Sequence, residues 1–170
     1  MTDTGATVSA AMPASTAPWT TGSLHMPTVA VTQRLKAFDL SLERCPDAGG
    51  GLSDSDARWP GRMRRIVRAS LNYWRQGDLA DTAELLTSEL VTNALCHGAG
   101  RDVGMRISLT QHSLLIEVRD GSPQRPVLRD AQPDDEDGRG LALVDALADA
   151  WGISADGTRT WFSLSLREGI

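Results

Sequence analysis

Phe38, Leu40 and Leu42 alternate with Asp39 and Ser41, and this period of two predicts a short, half-buried strand. Ahead of it, residues 1 to about 28 are mostly Ala, Thr, Ser and Pro without periodicity. Such a stretch buries too little apolar surface to offset its ordering entropy, so a disordered segment is expected there, followed by a single domain over residues 29 to 170. Residues 43 to 57 read as a loop, because they carry Pro46, three successive glycines and the aspartates 47, 54 and 56. A helix should run from about residue 60 to 74. Pro60 suits a first turn, and Met63, Ile66, Val67, Ser70, Leu71 and Trp74 keep roughly one face. Its other side carries Arg62, Arg64, Arg65 and Arg68, which is either a solvated face or a docking surface for an acidic partner. If merely solvated, these arginines are expected to pair with Asp54 or Asp56.

The second helix has the clearest pattern. Asp81 is expected to cap it, with Glu84 completing a capping-box-like pair. Leu86, Leu90 and Ala94, flanked by Val91 and Leu95, form its buried stripe, and Gly98 with Gly100 stops it. Two alternating strands follow. Val103, Met105, Ile107 and Leu109 face one way in the first, and Leu114, Ile116 and Val118 in the second, joined by a hairpin at residues 111 to 113. Residues 120 to 140 break the regularity with DGSPQRP, then QPDDED, then GRG. A third helix is expected from 141 to about 150. A closing hairpin should pair 151 to 155 with 160 to 166 across a type I′ turn at Asp156 and Gly157. The order of elements predicts an α+β two-layer sandwich, with a mixed, mostly antiparallel sheet and helices packed on one face.

Composition narrows the function. The 170 residues suffice for one well-buried domain. A net charge of −5 and a pI near 5.1 argue against a protein that binds nucleic acid by coating phosphates. Of the 17 basic side chains all but one are arginine, a skew that a GC-rich genome explains. Cys45 and Cys96 cannot form a zinc cluster alone, no apolar run approaches a membrane span, and the first ten residues lack the pattern of a secretory signal. A reducing cytoplasm is expected.

Three features carry candidate chemistry. Glu89, Asn93 and His97 recur every four residues, forming a polar row beside the Leu86, Leu90 and Ala94 stripe. At that boundary a carboxylate and a carboxamide need polar partners, either loop backbone or a hard cation such as Mg²⁺. Gly138, Arg139 and Gly140 run directly into a helix, where unobstructed backbone N–H groups make an anion cradle. Asp120 and Gly121 leave an otherwise apolar strand, where an Asp ordinarily starts a turn.

Taken in order, the E-x-x-x-N helix, the strand ending in Asp-Gly, the acidic stretch and the G-x-G-L helix start resemble the Bergerat ATP-binding fold. That superfamily includes gyrase, histidine kinases and mismatch-repair ATPases. The wording ELVTNALCHG, from Glu89 to Gly98, together with GRGLALV, looks most like its bacterial anti-sigma regulatory factors, which are also serine/threonine kinases. The resemblance covers roughly residues 38 to 166. It implies ATP with Mg²⁺, the ion being held by Asn93. Glu89 matches the general base, which takes the proton from a serine hydroxyl or a water. His97 matches a position near the phosphates, and Asp120 the carboxylate that accepts from the adenine amino group, with Gly121 letting the base approach. Gly138, Arg139, Gly140 and Leu141 fall in the phosphate-binding turn, and Thr160 in the position that touches adenine through water.

The middle motif departs from D-x-G-x-G, reading DGSPQ with Pro123 fixing its φ. Residues 123 to 137 are expected to be a mobile lid that orders with nucleotide. The implied partners are a sigma factor, an anti-anti-sigma antagonist bearing the acceptor serine, or both, with a homodimer and without direct nucleic acid or membrane. An ATP-sensing binding module that performs no transfer uses the same residues. A detached histidine-kinase domain fits less well, because no helical hairpin bears a phospho-acceptor, and His25 is the sole upstream histidine.

Overall fold

A computed structural model describes residues 35–121 and 139–166. The segment 1 to 28 expected to be disordered, the lid, and Gly138 lie outside the described residues.

The alternating positions form strands where the pattern places them. These are β1 (Lys36–Glu43), β2 (Asp102–Leu109) and β3 (Ser113–Arg119), with β4 (Ala150–Ile153) and β5 (Arg159–Ser165) closing the chain. The sheet order is β1-β2-β3-β5-β4, and every ladder between these strands is antiparallel. Antiparallel register sets Phe38, Ile107, Ile116, Phe162 and Trp151 in one cross-strand row. Helices α1 (Trp59–Tyr73), α2 (Ala80–His97) and α3 (Arg139–Leu147) complete the fold. Met63, Val67 and Leu71 of α1 and Leu86, Leu90, Val91, Ala94 and Leu95 of α2 share one core with Val103, Ile107, Leu114 and Phe162 of the sheet. Each of these side chains larger than alanine contributes about 1.5–3 kcal/mol when withdrawn from water, before entropy is subtracted.

The helix ends differ from the sequence expectation. Leu79 occupies the N-cap of α2 without a side-chain cap, so Asp81 and Glu84 form no capping box. Both carboxylates instead grip Arg68 of α1, Asp81 Oδ1 at 2.6 Å from Nη2 and Glu84 Oε1 at Nε. Arg64 donates to Ser88 Oγ at 2.9 Å, and the Arg62 guanidinium lies over the Trp59 ring. Three of the four arginines are thus engaged at home, and the expected pairing with Asp54 or Asp56 is replaced by these contacts. Asp56 is buried and accepts from the Cys45 N–H.

α1 ends in a Schellman motif, with Gln76 N–H to Leu71 O at 2.8 Å and Arg75 N–H to Asn72 O at 3.1 Å. Arg75 takes the left-handed φ of 61° that the motif requires. α3 begins two residues before Leu141 and ends at Leu147, giving up its expected last turn to the start of β4. The final turn is not type I′, which needs positive φ at both central residues; of Asp156 and Gly157, only Gly157 has it, at 77°. A wider loop results, closed by Gly157 N–H to Ser154 O at 2.9 Å.

Candidate functional site

Midway along α2, Glu89 and Asn93 are half-buried at the edge of the apolar stripe. Gly140, the second residue of α3, packs directly on them. A Cβ there would stand 2.6 Å from Glu89 Oε2 and 3.6 Å from Asn93 Nδ2. Glycine is therefore what lets the positive end of the α3 dipole close on a polar row. Burial raises the Glu89 pKa above the usual carboxylate range.

The C-terminal end of α2 holds the second cluster, about 13 Å along the axis from Glu89. The helix stops with the Gly98 N–H on Ala94 O at 3.0 Å, and a Cβ on Gly98 would lie 2.3 Å from that oxygen and 3.0 Å from Asp120 Cβ. Gly100 N–H donates to Asp120 O at 3.1 Å, and Asp120 N–H donates to Thr158 O at 3.1 Å. Gly121 turns the chain out of β3 with φ 67°, which favours glycine. Asp120 is thus held from both sides by main chain. Thr160 pairs with Val118, and strand alternation puts it on the same sheet face as Asp120, one pair further in.

One determinant of this cluster escaped the sequence reading. Arg44, just after β1, donates from Nη1 to Gly98 O at 2.5 Å and Gly100 O at 3.3 Å, and from Nη2 to Leu95 O at 2.7 Å. A guanidinium on three carbonyls satisfies the C-terminus of α2 and complements its negative end. These contacts join residues more than 50 positions apart, so no local spacing signals them.

The expected site residues therefore divide. Glu89, Asn93 and Gly140 meet in one cluster; Asp120 and Gly121, with Thr160 close behind, form the other. His97, the last residue of α2, is exposed. Leu141 is 6% exposed and belongs to the core. Gly138 and the side chain of Arg139 lie outside the described residues. Among the described residues no group of three or more His, Cys, Asp or Glu could hold a metal ion, and no helix is long and apolar enough to cross a membrane. The donor set instead suits Mg²⁺, which keeps waters and takes one or two protein oxygens beside phosphate oxygens.

Residues 55–164, more than half of the chain, match the histidine kinase-like ATPase domain. The chain belongs to that family. Membership supports ATP binding, and glycines 98, 121 and 140 let the Asp120 loop and the start of α3 approach α2 and the segment after it more closely than side chains would allow. In this histidine kinase-like ATPase domain the match begins after β1, so Arg44 stands outside it. No curated protein matches the chain.

Proposed function

We propose that the groove along α2 binds ATP with Mg²⁺, and that the chain passes the terminal phosphoryl group to a serine or threonine hydroxyl of an antagonist protein. It would act as an anti-sigma-factor-type regulator, with a sigma factor as the second partner and a homodimer as the working form. The carrying observation is Glu89, whose half-buried carboxylate lies against the start of α3 with a raised pKa. A base poised nearer neutrality matches the task of taking a hydroxyl proton. As that oxygen bonds to the terminal phosphorus, the bond to the leaving diphosphate breaks, and the proton stays on Glu89.

Asp120 accepts from the adenine amino group, Gly121 gives the base room, and Thr160 reaches it through water. Asn93 offers its side-chain oxygen to the ion, with His97, Gly138, Arg139 and Gly140 toward the phosphates. Mg²⁺, when bound, neutralises phosphate charge and aligns the oxygens around the reacting phosphorus.

Calorimetry with ATP and Mg²⁺, then incubation with labelled ATP and candidate partner proteins, tests this reading. Asp120→Ala should cost about 1–3 kcal/mol of binding, an order of magnitude or more in affinity. Glu89→Gln should keep binding while transfer falls about 10²–10⁴-fold. Binding without label transfer to any partner would leave an ATP-sensing module. No affinity up to millimolar ATP sinks both.

A further inference from the structure

The helices cover one face of the sheet, and the other face carries its own charged cavity of about 360 Å³. Two cross-strand rows line it. Asp39, Arg106 and Glu117 stand opposite one another in the first, and Ser41, Gly104, Arg119 and Arg159 in the second. Arg106 is committed to Asp39, with Nε to Oδ1 at 2.5 Å and Nη2 to Oδ2 at 2.9 Å. Arg119 leans over Gly104, its Nε 3.4 Å from where a Cβ would be.

Arg119 and Arg159 are direct cross-strand neighbours. Among the described residues neither forms an ion pair, although the Arg159 charge reaches Asp156 through space. Like charges directly opposite on neighbouring strands destabilise a sheet. Here two guanidiniums, the groups best shaped for forked recognition of an oxyanion, carry that cost at the rim of a cavity.

We propose that this cavity is a binding site for a compact oxyanion, a carboxylate or phosphate carried by a small ligand and held between Arg119 and Arg159. The site is separate from the ATP groove and does not depend on that reading. It nevertheless lies back to back with it, because Arg119 precedes Asp120 and Arg159 follows Thr158, the pair joined by the 3.1 Å main-chain bond.

The test uses the full chain, inorganic phosphate and succinate, at ionic strength held constant with chloride. Calorimetry and thermal melts are run on wild type, Arg119→Gln and Arg159→Gln. The expected result is saturable millimolar binding of one probe to wild type, with a rise in Tm, weakened about tenfold or more in each variant. Without the probe, each variant should melt at or above the wild-type temperature, since it removes like-charge repulsion. Phosphate binding alone identifies a phosphate ligand, and succinate alone a carboxylate. The proposal is overturned if neither probe saturates, or if binding survives both substitutions, which would put the anion in the ATP groove. Variants that melt well below wild type also overturn it, because the arginines would then be structural.

Discussion

At the C-terminal end of α2, Asp120 is fixed through main-chain bonds to Gly100 and Thr158 and backed by Gly98, whose carbonyl Arg44 holds. Midway along the same helix, the nearest approach of Glu89 to Gly140 of α3 is the free end of its side chain, with Cβ behind it. The first cluster is rigid because moving Asp120 means breaking backbone hydrogen bonds. The second can yield, since a carboxylate rotates at far lower cost than a helix end shifts. In the proposed function the rigid end receives the flat base and the yielding end supplies the proton acceptor. Substitutions at the two ends should therefore separate stability from chemistry.

The largest loss of stability is expected from Gly98→Ala. Its Cβ would meet the Ala94 carbonyl at 2.3 Å, a backbone atom that cannot swing aside. The cap bond or the Asp120 loop must give way, at about 3 kcal/mol with weaker ATP binding in step. Chemical denaturation and calorimetry on one preparation check both; a melt within a degree of wild type would mean that the loop is soft after all.

Arg44→Met should follow, at about 2 kcal/mol, because it keeps the apolar stem while leaving the carbonyls of Leu95 and Gly98 without their donor. Combined with Gly98→Ala the losses should fall short of additive, since both act on one loop. A strictly additive pair would show that the clamp and the cap are independent.

At the yielding end the order reverses. Gly140→Ala meets Glu89 Oε2 at 2.6 Å, a flexible atom, so stability should change by less than about 1 kcal/mol. The proposed phosphotransfer should fall about tenfold or more as Glu89, its proposed base, is displaced. Glu89→Gln carries a pH signature. The folded pKa is raised, so ionisation costs the wild type stability as pH rises through the range above the ordinary carboxylate value. The amide should therefore melt slightly higher than wild type at neutral pH, by under about 1 kcal/mol for a half-exposed group. That advantage should shrink as pH falls toward 4.5 and vanish below it. An advantage independent of pH would mean that the carboxylate is not desolvated.

Legibility in the sequence followed the range of the interactions. Strand alternation and the α2 stripe are local periodicities, and the register Phe38, Ile107, Ile116, Phe162 follows from them. Glu89 and Asn93 were legible because helical spacing alone puts them on one face. The Asp81 and Glu84 cap misled because a tertiary partner, Arg68, outbid the local backbone for the same carboxylates. The final turn misled because Ser154 and Thr158 offer the Asp156 carboxylate hydrogen bonds that a two-residue turn cannot. Arg44 was invisible, since its value lies wholly in carbonyls far along the chain.

That Asp156 loop gives the smallest effect, and it sharpens the picture of the rigid end because Thr158 is the acceptor for the Asp120 N–H. Oδ1 of Asp156 accepts from Ser154 Oγ at 2.5 Å, from Thr158 N–H at 3.0 Å and from Thr158 Oγ1 at 2.8 Å. The Ser154 hydroxyl, then the Thr158 N–H and hydroxyl, and finally the Arg159 charge lower its pKa from 3.8 to about 2. With the folded value depressed, the contribution is complete above 3.8 and is lost as pH falls toward 2. Asp156→Ala should lower stability by about 0.5 kcal/mol at neutral pH, a small amount because the group is exposed to solvent. Its melting curve should converge on the wild type between pH 4 and 2. Asp156→Asn keeps an acceptor at the same place without the charge, so it should retain most of the stability and show none of the acid loss. If Asn instead behaves like Ala at every pH, the charge rather than the hydrogen-bond geometry holds the loop, and the buttress under Asp120 is electrostatic.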